Sequence, residues 1–331
     1  MKYRIATPFL AVFKVALLCL LFQSSSPAQE RTETKPSRVR ASMPGVAVSF
    51  SPVELGAQKG IFRDEGLEIE LLVIRGNVAL AALISDELDY IIGFGNPNRA
   101  AARGMPLKLV AGVDTRPVWF LVARPEIKTV RDLKGKRIGV GSIKGSVQLA
   151  AALALEQNGL PSREVSWLSV GTTPTRLQAM ANNAVDAAVI ALPGNINARK
   201  MGFRELMDVG EIAPIPTVGL VASEKKLAQQ SSEVRKMIRA MIRSTRYFLA
   251  RKNEAVQFIA KRFNFSTDEA RLVYEQQIPA LTASGDVNEK GILLDFKFAR
   301  EAGENIAEVS LEKIVDLRLL KEVQKELGQN R

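Results

Sequence analysis

The 331-residue chain has no histidine and a single cysteine, Cys19. Without imidazole, neither a Ser-His-Asp nor a Cys-His arrangement can be assembled, because both use that ring as the proton-transferring base. Zinc donor sets are out of reach for the same reason, since at most one thiolate and no imidazole remain. Neither a metal nor a cofactor is expected, and the chain is not expected to be an enzyme. A membrane span needs about 20 apolar residues, and the apolar stretch Phe9 to Phe22 is shorter and contains Lys14. What is present, 47% apolar and 24% charged residues, is the mixture of a chain that folds around a core. The length suffices for two domains.

Phe9 to Phe22 follows Lys2 and Arg4 and precedes Gln23, three serines, Pro27 and Ala28. A basic start, a short apolar stretch and a small-residue exit make a secretory signal peptide over residues 1–28, cleaved near Ala28, which implies a periplasmic destination. A lipoprotein signal would need a small residue before the cysteine, and Leu18 is large. Cleavage would remove three positive charges and Cys19, leaving 43 basic against 35 acidic residues, a net charge of +8 instead of +11. Such a chain suits an oxidising compartment without needing disulfides. Residues 29–42, polar and charged, read as a flexible leader.

An internal repeat with an offset of about 95 residues organises the rest. In its first copy a strand-like run, Val46 to Phe50, leads through Ser51 and Pro52 into a helical pattern, then Gly66-Leu67 and a strand to Ile74. Gly76, a helix with Leu80 and Leu83, Leu88-Asp89 and a strand from Tyr90 to Phe94 complete it. The second copy runs through Arg137 to Val140, a glycine turn, a helix from Ser146 to Asn158, a strand from Val165 to Val170, a helix with Leu177 and Met180, and a strand from Ala187 to Leu192. Nearly continuous apolar strands alternating with amphipathic helices predict parallel sheets covered on both faces, hence an α/β fold of two similar lobes.

In such sheets ligands sit beyond the carboxyl ends of the strands, where backbone NH groups and helix N-termini converge. The candidate ligand-binding residues are therefore Ser49, Phe50, Ser51, Gly76, Asn77, Gly95 and Asn96 from the first copy. The second copy offers Ser142, Gly145, Ser146, Gly171, Thr172, Leu192 and Pro193. Free NH groups around Gly145 and Ser146 with the serine hydroxyls make an anion seat, against simple N-capping by Ser146. Arg116 is placed to pair an anionic group or else is a solvated turn residue; Arg75 and Arg99 are weaker candidates of the same kind.

Several segments carry the marks of a known family. Gly60-Ile61-Phe62 through Glu65-Gly66-Leu67-Glu68-Ile69, Leu88-Asp89, Ala101 to Gly104 with Pro106-Leu107, Asp132-Leu133-Lys134-Gly135-Lys136-Arg137-Ile138-Gly139-Val140 and Val185 to Val189 resemble the substrate-binding proteins of ABC importers. Within these the pattern is similar to the nitrate, sulfonate and taurine binders and to the group related to thiamine-pyrimidine precursor proteins. The resemblance spans about Pro44 to Leu327. It implies a type II periplasmic-binding fold whose lobes close on a small solute and present it to an ABC permease, the receptor acting as a monomer. The chain would cross between lobes near Val122 and near Thr217 to Leu220. That gives residues 43–121 and 219–285 to one lobe, 122–218 to the other, and 286–331 to helices packed on both. An anionic or pyrimidine-like solute is the expected ligand. The histidine and cysteine-rich motif of the pyrimidine-synthesising relatives are missing, which leaves such an enzyme, or a solute sensor, as the alternative.

Three further motifs have duller readings that outweigh the sharp ones. Gly139-Val140-Gly141 with Gly145 approaches a dinucleotide fingerprint but has an extra residue before the last glycine and lacks the following acidic residue. Asp286-Val287-Asn288 with Gly291 opens like a calcium loop, yet Lys297 stands where the bidentate Glu belongs, so a turn between helices is expected. The basic stretch from Ser232 to Asn264 has an apolar stripe of Val234, Met237, Ile238, Met241, Thr245 and Phe248. It reads as a packed surface helix, with nucleic acid excluded by the signal peptide.

Overall fold

The computed structural model describes residues 36–74 and 76–329, so the expected signal peptide and Arg75 lie outside the described residues. Strand β1 (Ser37–Met43) is followed by a 3-10 turn at Val48–Phe50, α1 (Ser51–Gln58), α2 (Ile61–Asp64), β2 (Leu67–Val73), α3 (Gly76–Ile84), β3 (Tyr90–Ile92), α4 (Gly95–Ala102) and β4 (Leu107–Gly112). A second series contains β5 (Trp119–Ala123), β6 (Arg137–Val140), α5 (Ser146–Gln157), β7 (Ser166–Ser169), α6 (Thr173–Ala181), β8 (Ala187–Ala191), α7 (Gly194–Lys200), β9 (Arg204–Asp208) and α8 (Val209–Ile212). The chain continues with β10 (Gly219–Ser223), α9 (Glu224–Gln229), α10 (Ser231–Ala250), α11 (Lys252–Phe263), α12 (Thr267–Gln277), α13 (Glu289–Glu301) and α14 (Arg318–Gln329).

These strands form two five-stranded sheets ordered β2-β1-β3-β10-β4 and β7-β6-β8-β5-β9. In each, four strands run in one direction, and the remaining one, β10 or β5, runs antiparallel to both of its neighbours. That antiparallel strand is always the first one after a crossing: β5 enters the second sheet from the first series, and β10 returns to the first sheet. The repeat seen in the sequence is thus a repeat of topology, with β1, β2 and β3 matched by β6, β7 and β8. Because β5 belongs wholly to the second sheet, the first crossing occupies residues 113–118, earlier than the expected point near Val122. The second occupies residues 213–218.

The first strand also differs from expectation. Ser37–Met43, all but Met43 of it read as leader, pairs in parallel register with β2 over its whole length and with β3 through Ala41 and Ser42. Its arginines concealed a period-2 alternation in which Val39, Ala41 and Met43 enter the core while Arg38 and Arg40 face solvent. The expected strand from Val46 is instead the 3-10 turn, since the chain passes directly into α1 with Pro52 in its first turn, where a missing N–H costs nothing.

Helices cover both faces of both sheets, as buried parallel strands require. The predicted stripe on α10 is buried against the first sheet, except that Phe248 belongs to a neighbouring cluster with Tyr274. Its basic face is paired within the chain: Arg239 and Arg243 meet Glu65, and Arg235 and Arg239 meet Glu326 of α14. Helix α13 puts Ile292 and Phe296 into the first lobe's core and Phe298 into the second's. The C-terminal helix begins only at Arg318: the preceding Val315 pairs with Leu109 of β4, and the Ile314 carbonyl accepts from the Leu109 N–H at 2.8 Å. Asp316 then takes the Arg318 N–H at 3.1 Å and opens α14.

Gly219, where β10 begins, has no room for a side chain: a Cβ there would stand 2.0 Å from Phe94 Cζ and 2.5 Å from the Ala111 carbonyl oxygen. Since the second contact is backbone, Gly219→Ala is expected to cost about 3 kcal/mol by overpacking. Urea unfolding reads this as a lower midpoint at unchanged slope; an unchanged midpoint would mean that the β4–β10 contact yields freely.

Candidate functional site

Both crossings border a cavity of about 620 Å³ walled by strand ends and helix starts of both lobes. Of the residues expected at a ligand, Ser49, Phe50, Gly76, Gly95, Asn96, Arg116, Ser142, Gly145, Ser146 and Leu192 line it. Five others do not. Ser51 is fully buried as the first residue of α1, Asn77 faces solvent on α3, and Gly171 takes a left-handed turn at φ +91°. Thr172 caps α6, its hydroxyl accepting from the Thr175 N–H, and Pro193 precedes α7 behind the wall formed by Leu192. Sequence position fixed which loops reach the cavity; which side of each loop faces it depends on local turns.

Arg116 is neither a free anion ligand nor a solvated turn residue. Its Nη1 donates to Asp208 Oδ2 at 2.6 Å and its Nη2 to Glu211 Oε1 at 3.4 Å. Burial raises the Asp208 carboxyl, and the hydrogen bond from Arg116 works against that rise. The pair joins the first crossing to the end of β9. Arg99 on α4 is likewise occupied, its Nη2 donating to Asp295 Oδ1 at 2.7 Å and its Nη1 to Glu304. Burial pulls the Arg99 guanidinium down, but hydrogen bonds and charge from Asp295 and Glu304 outweigh it and hold it above its ordinary value. Its Nη2 also donates to Ser146 Oγ at 2.5 Å, a tie from the first lobe to the first residue of α5. Ser146 therefore does not cap its own helix; Gly145 is the N-cap and provides no side-chain bond.

Several groups escaped the sequence reading. Asp114, at the start of the first crossing, is buried and accepts the N–H groups of Thr217 and Val218 at 2.7 and 2.9 Å and the Thr217 hydroxyl at 2.5 Å. Burial pushes its carboxyl up to about 7, while those hydrogen bonds oppose the rise. Asn288, in the motif that began like a calcium loop, caps α13 by accepting the Gly291 N–H. Its Nδ2 donates to the carbonyls of Thr115 and Pro214 at 2.9 and 2.8 Å, one in each crossing. The turn between helices expected there is present, with an added role as a clasp. An acid ending the apolar run from Leu107 to Val113 was the one available signal for Asp114.

The cavity's neutral polar groups are unevenly used. Gln277 and Asn98 are each 2% exposed. Gln277 Nε2 donates to the Val48 carbonyl and Asn98 Nδ2 to Asp295 Oδ2, which fixes both amide orientations. Gln277 Oε1 and Asn98 Oδ1 are left without partners. Each is a buried acceptor wanting a donor, at a cost of about 1–3 kcal/mol while unmet. Phe50 and Trp119 add aromatic groups to the wall, while Phe94, which also borders it, is fully buried.

The family model described as NMT1/THI5 like matches residues 48–255. The chain belongs to the NMT1/THI5-like family. Among relatives of this NMT1/THI5-like chain, riboflavin-binding protein RibY of Chloroflexus aurantiacus is 24% identical over 299 residues, covering 84% of this chain and 85% of RibY. A binding protein of Brucella abortus is 26% identical over 250 residues, with coverage of 71% and 76%. Its fold is that of periplasmic binding proteins. The sulfonate-binding protein SsuA of Methylobacillus flagellatus superposes with a TM-score of 0.73 at 18% identity, over 89% of this chain and 96% of that one. SsuA of Escherichia coli gives 0.70 at 18%, over 86% and 99%. The desulfurization enzyme DSZB shares the fold at a TM-score of 0.64 and 16% identity, over 89% and 100%. The type II α/β architecture expected from the sequence is therefore present. No helix among the described residues is long and apolar enough to cross a membrane.

Asp114 gives a pH signature. Its folded pKa of about 7 lies above the ordinary carboxylate value near ~3.9, so between these values the folded protein holds a proton that the unfolded chain releases. Its contribution to stability is full below the unfolded value and is lost as pH rises toward about 7. Asp114→Asn keeps an oxygen at Oδ1 to accept both N–H groups and offers Nδ2 to the Thr217 hydroxyl oxygen. Its melting temperature relative to wild type is expected to climb from pH 4 to pH 7 and then level off; a difference independent of pH would contradict the buried, proton-binding carboxyl.

Proposed function

We propose that this chain is the extracytoplasmic receptor of an ABC importer, binding a small solute by lobe closure and handing it to a membrane permease without bond chemistry. The observation that carries this reading is the position of the cavity: both crossings border it, and each lobe supplies part of its wall. A solute held there bridges the lobes, and its differential affinity for the closed arrangement is what shifts the population. Secretion to the periplasm follows the signal-peptide pattern at residues 1–28 and the periplasmic placement of the SsuA relatives.

The lining favours an aromatic or heterocyclic solute with N–H or O–H donors over a bare sulfonate or nitrate, whose oxygens only accept. Arg99 and Arg116, the lining cations, are already paired with carboxylates. The unmet acceptors Gln277 Oε1 and Asn98 Oδ1 call for donors. Phe50 and Trp119 supply aromatic groups against which a flat ring can lie.

Thermal melting and small-angle scattering with uracil, cytosine, riboflavin, butanesulfonate and nitrate test the reading. A ring with N–H donors is expected to raise the melting temperature and reduce the radius of gyration, and Gln277→Leu to weaken its binding about tenfold. Binding of butanesulfonate or nitrate alone would overturn the solute class. Turnover of any of these compounds, or no response to any, would overturn the receptor.

A further inference from the structure

Three charged side chains are buried among the described residues: Asp114, Asp295 and Arg176. The first two are satisfied by the donors described above. Arg176, on α6 and 6% exposed, is not. Its Nη2 donates to Thr173 Oγ1 at 2.9 Å, while Nε and Nη1 have no partner. Burial alone acts on the guanidinium, lowering it to about 10, and no carboxylate compensates. A buried cation without a counter-charge is expensive, and its place near the N-terminus of α6 adds the positive end of a helix dipole.

The location gives that cost a use. Arg176 lies at the carboxyl ends of β6 and β8, the adjacent central strands of the second sheet. A methyl group placed on Gly141, the residue after β6, would stand 3.8 Å from Arg176 Nη1. The Thr173 hydroxyl that Arg176 holds also lies 3.5 Å from the N–H of Ala191, the last residue of β8. Gly141 and Ala191 both line the cavity. Arg176 itself does not line the cavity, but it sits within contact reach of a side chain placed on Gly141, which does.

We propose that Arg176 is the anion-recognition residue of this cavity, reached past Gly141 by a carboxylate, sulfonate or phosphate group on the solute. This rests on the receptor reading and sharpens it: the first lobe's Asn98 accepts from the ring while the second lobe's cation takes an acidic substituent, so one molecule satisfies both lobes. The unmet nitrogens have no solvent access in this structure, so the wall at Gly141 shifts when the anion enters.

Melting curves with acetate, sulfate and inorganic phosphate, each against chloride at equal ionic strength, test the site without knowledge of the solute. Wild type is expected to gain about 3 °C at an oxyanion concentration near tenfold above its dissociation constant. The anion that acts at the lowest concentration identifies the acidic group. Arg176→Met should lose this response and, without ligand, melt no lower than wild type, because an unpaired buried charge has been removed. No stabilisation by any of the three, or a ligand-free Arg176→Met melting several degrees lower, overturns the proposal and gives Arg176 a purely structural role. The receptor reading is judged separately by the solute panel, so its failure and the failure of this site are distinguishable.

Discussion

Everything about the cavity depends on how two crossing segments are held beside each other in a dry interior. Asp114 accepts three hydrogen bonds from Thr217 and Val218, and Asn288 donates to a carbonyl in each crossing while capping α13. Buried polar groups of this kind stabilise only when satisfied, and here satisfaction requires the two crossings to stay in register. The backbone is equally tight. A Cβ on Gly210 would meet the Pro117 carbonyl oxygen at 1.9 Å, and one on Gly291 would meet that of Pro214 at 2.1 Å. The connection between the lobes is thus a packed and hydrogen-bonded unit, with α13 wedged across both cores.

Charge is placed so that little of the chain's basic excess faces the solute space. Arg235, Arg239 and Arg243 of α10 are paired with Glu65 and Glu326, and the two cations lining the cavity with Asp295, Glu304, Asp208 and Glu211. The more exposed of these pairs, such as Arg235 with Glu326, contribute little stability, a median of about 0–1 kcal/mol. They leave the net charge of +11 unchanged and cancel only the local positive field at each paired arginine. Arg176 is the exception that the paired background brings into view.

The sequence made the repeat legible because strands buried on both faces leave continuous apolar runs, and Tyr90, Ile138 and Ala187 mark them clearly. It failed at Ser37–Met43, where the runs are broken by arginines on the solvent side of an alternating strand. Ten of the fifteen expected site residues line the cavity because loops at strand ends must gather there. Ser51, Asn77 and Thr172 do not, since a single residue's rotation about a helix start decides whether it faces core, solvent or cavity. Gln277, Asn98 and Asp295 were not legible at all: they sit within helices whose cavity-facing side is set by contacts between elements nearly two hundred residues apart, such as Asn98 with Asp295.

The order of strands in the two sheets has a consequence for the time at which each can be completed. Every strand of the second sheet lies between Trp119 and Asp208, one uninterrupted stretch of chain. The first sheet is broken between β3 and β4 until β10 arrives, more than a hundred residues later, to fill the gap. Loop closure over that separation must precede the contacts that reward it. A chain emerging N-terminus first therefore has every strand of its second sheet while the first is still waiting for the strand that joins β3 to β4.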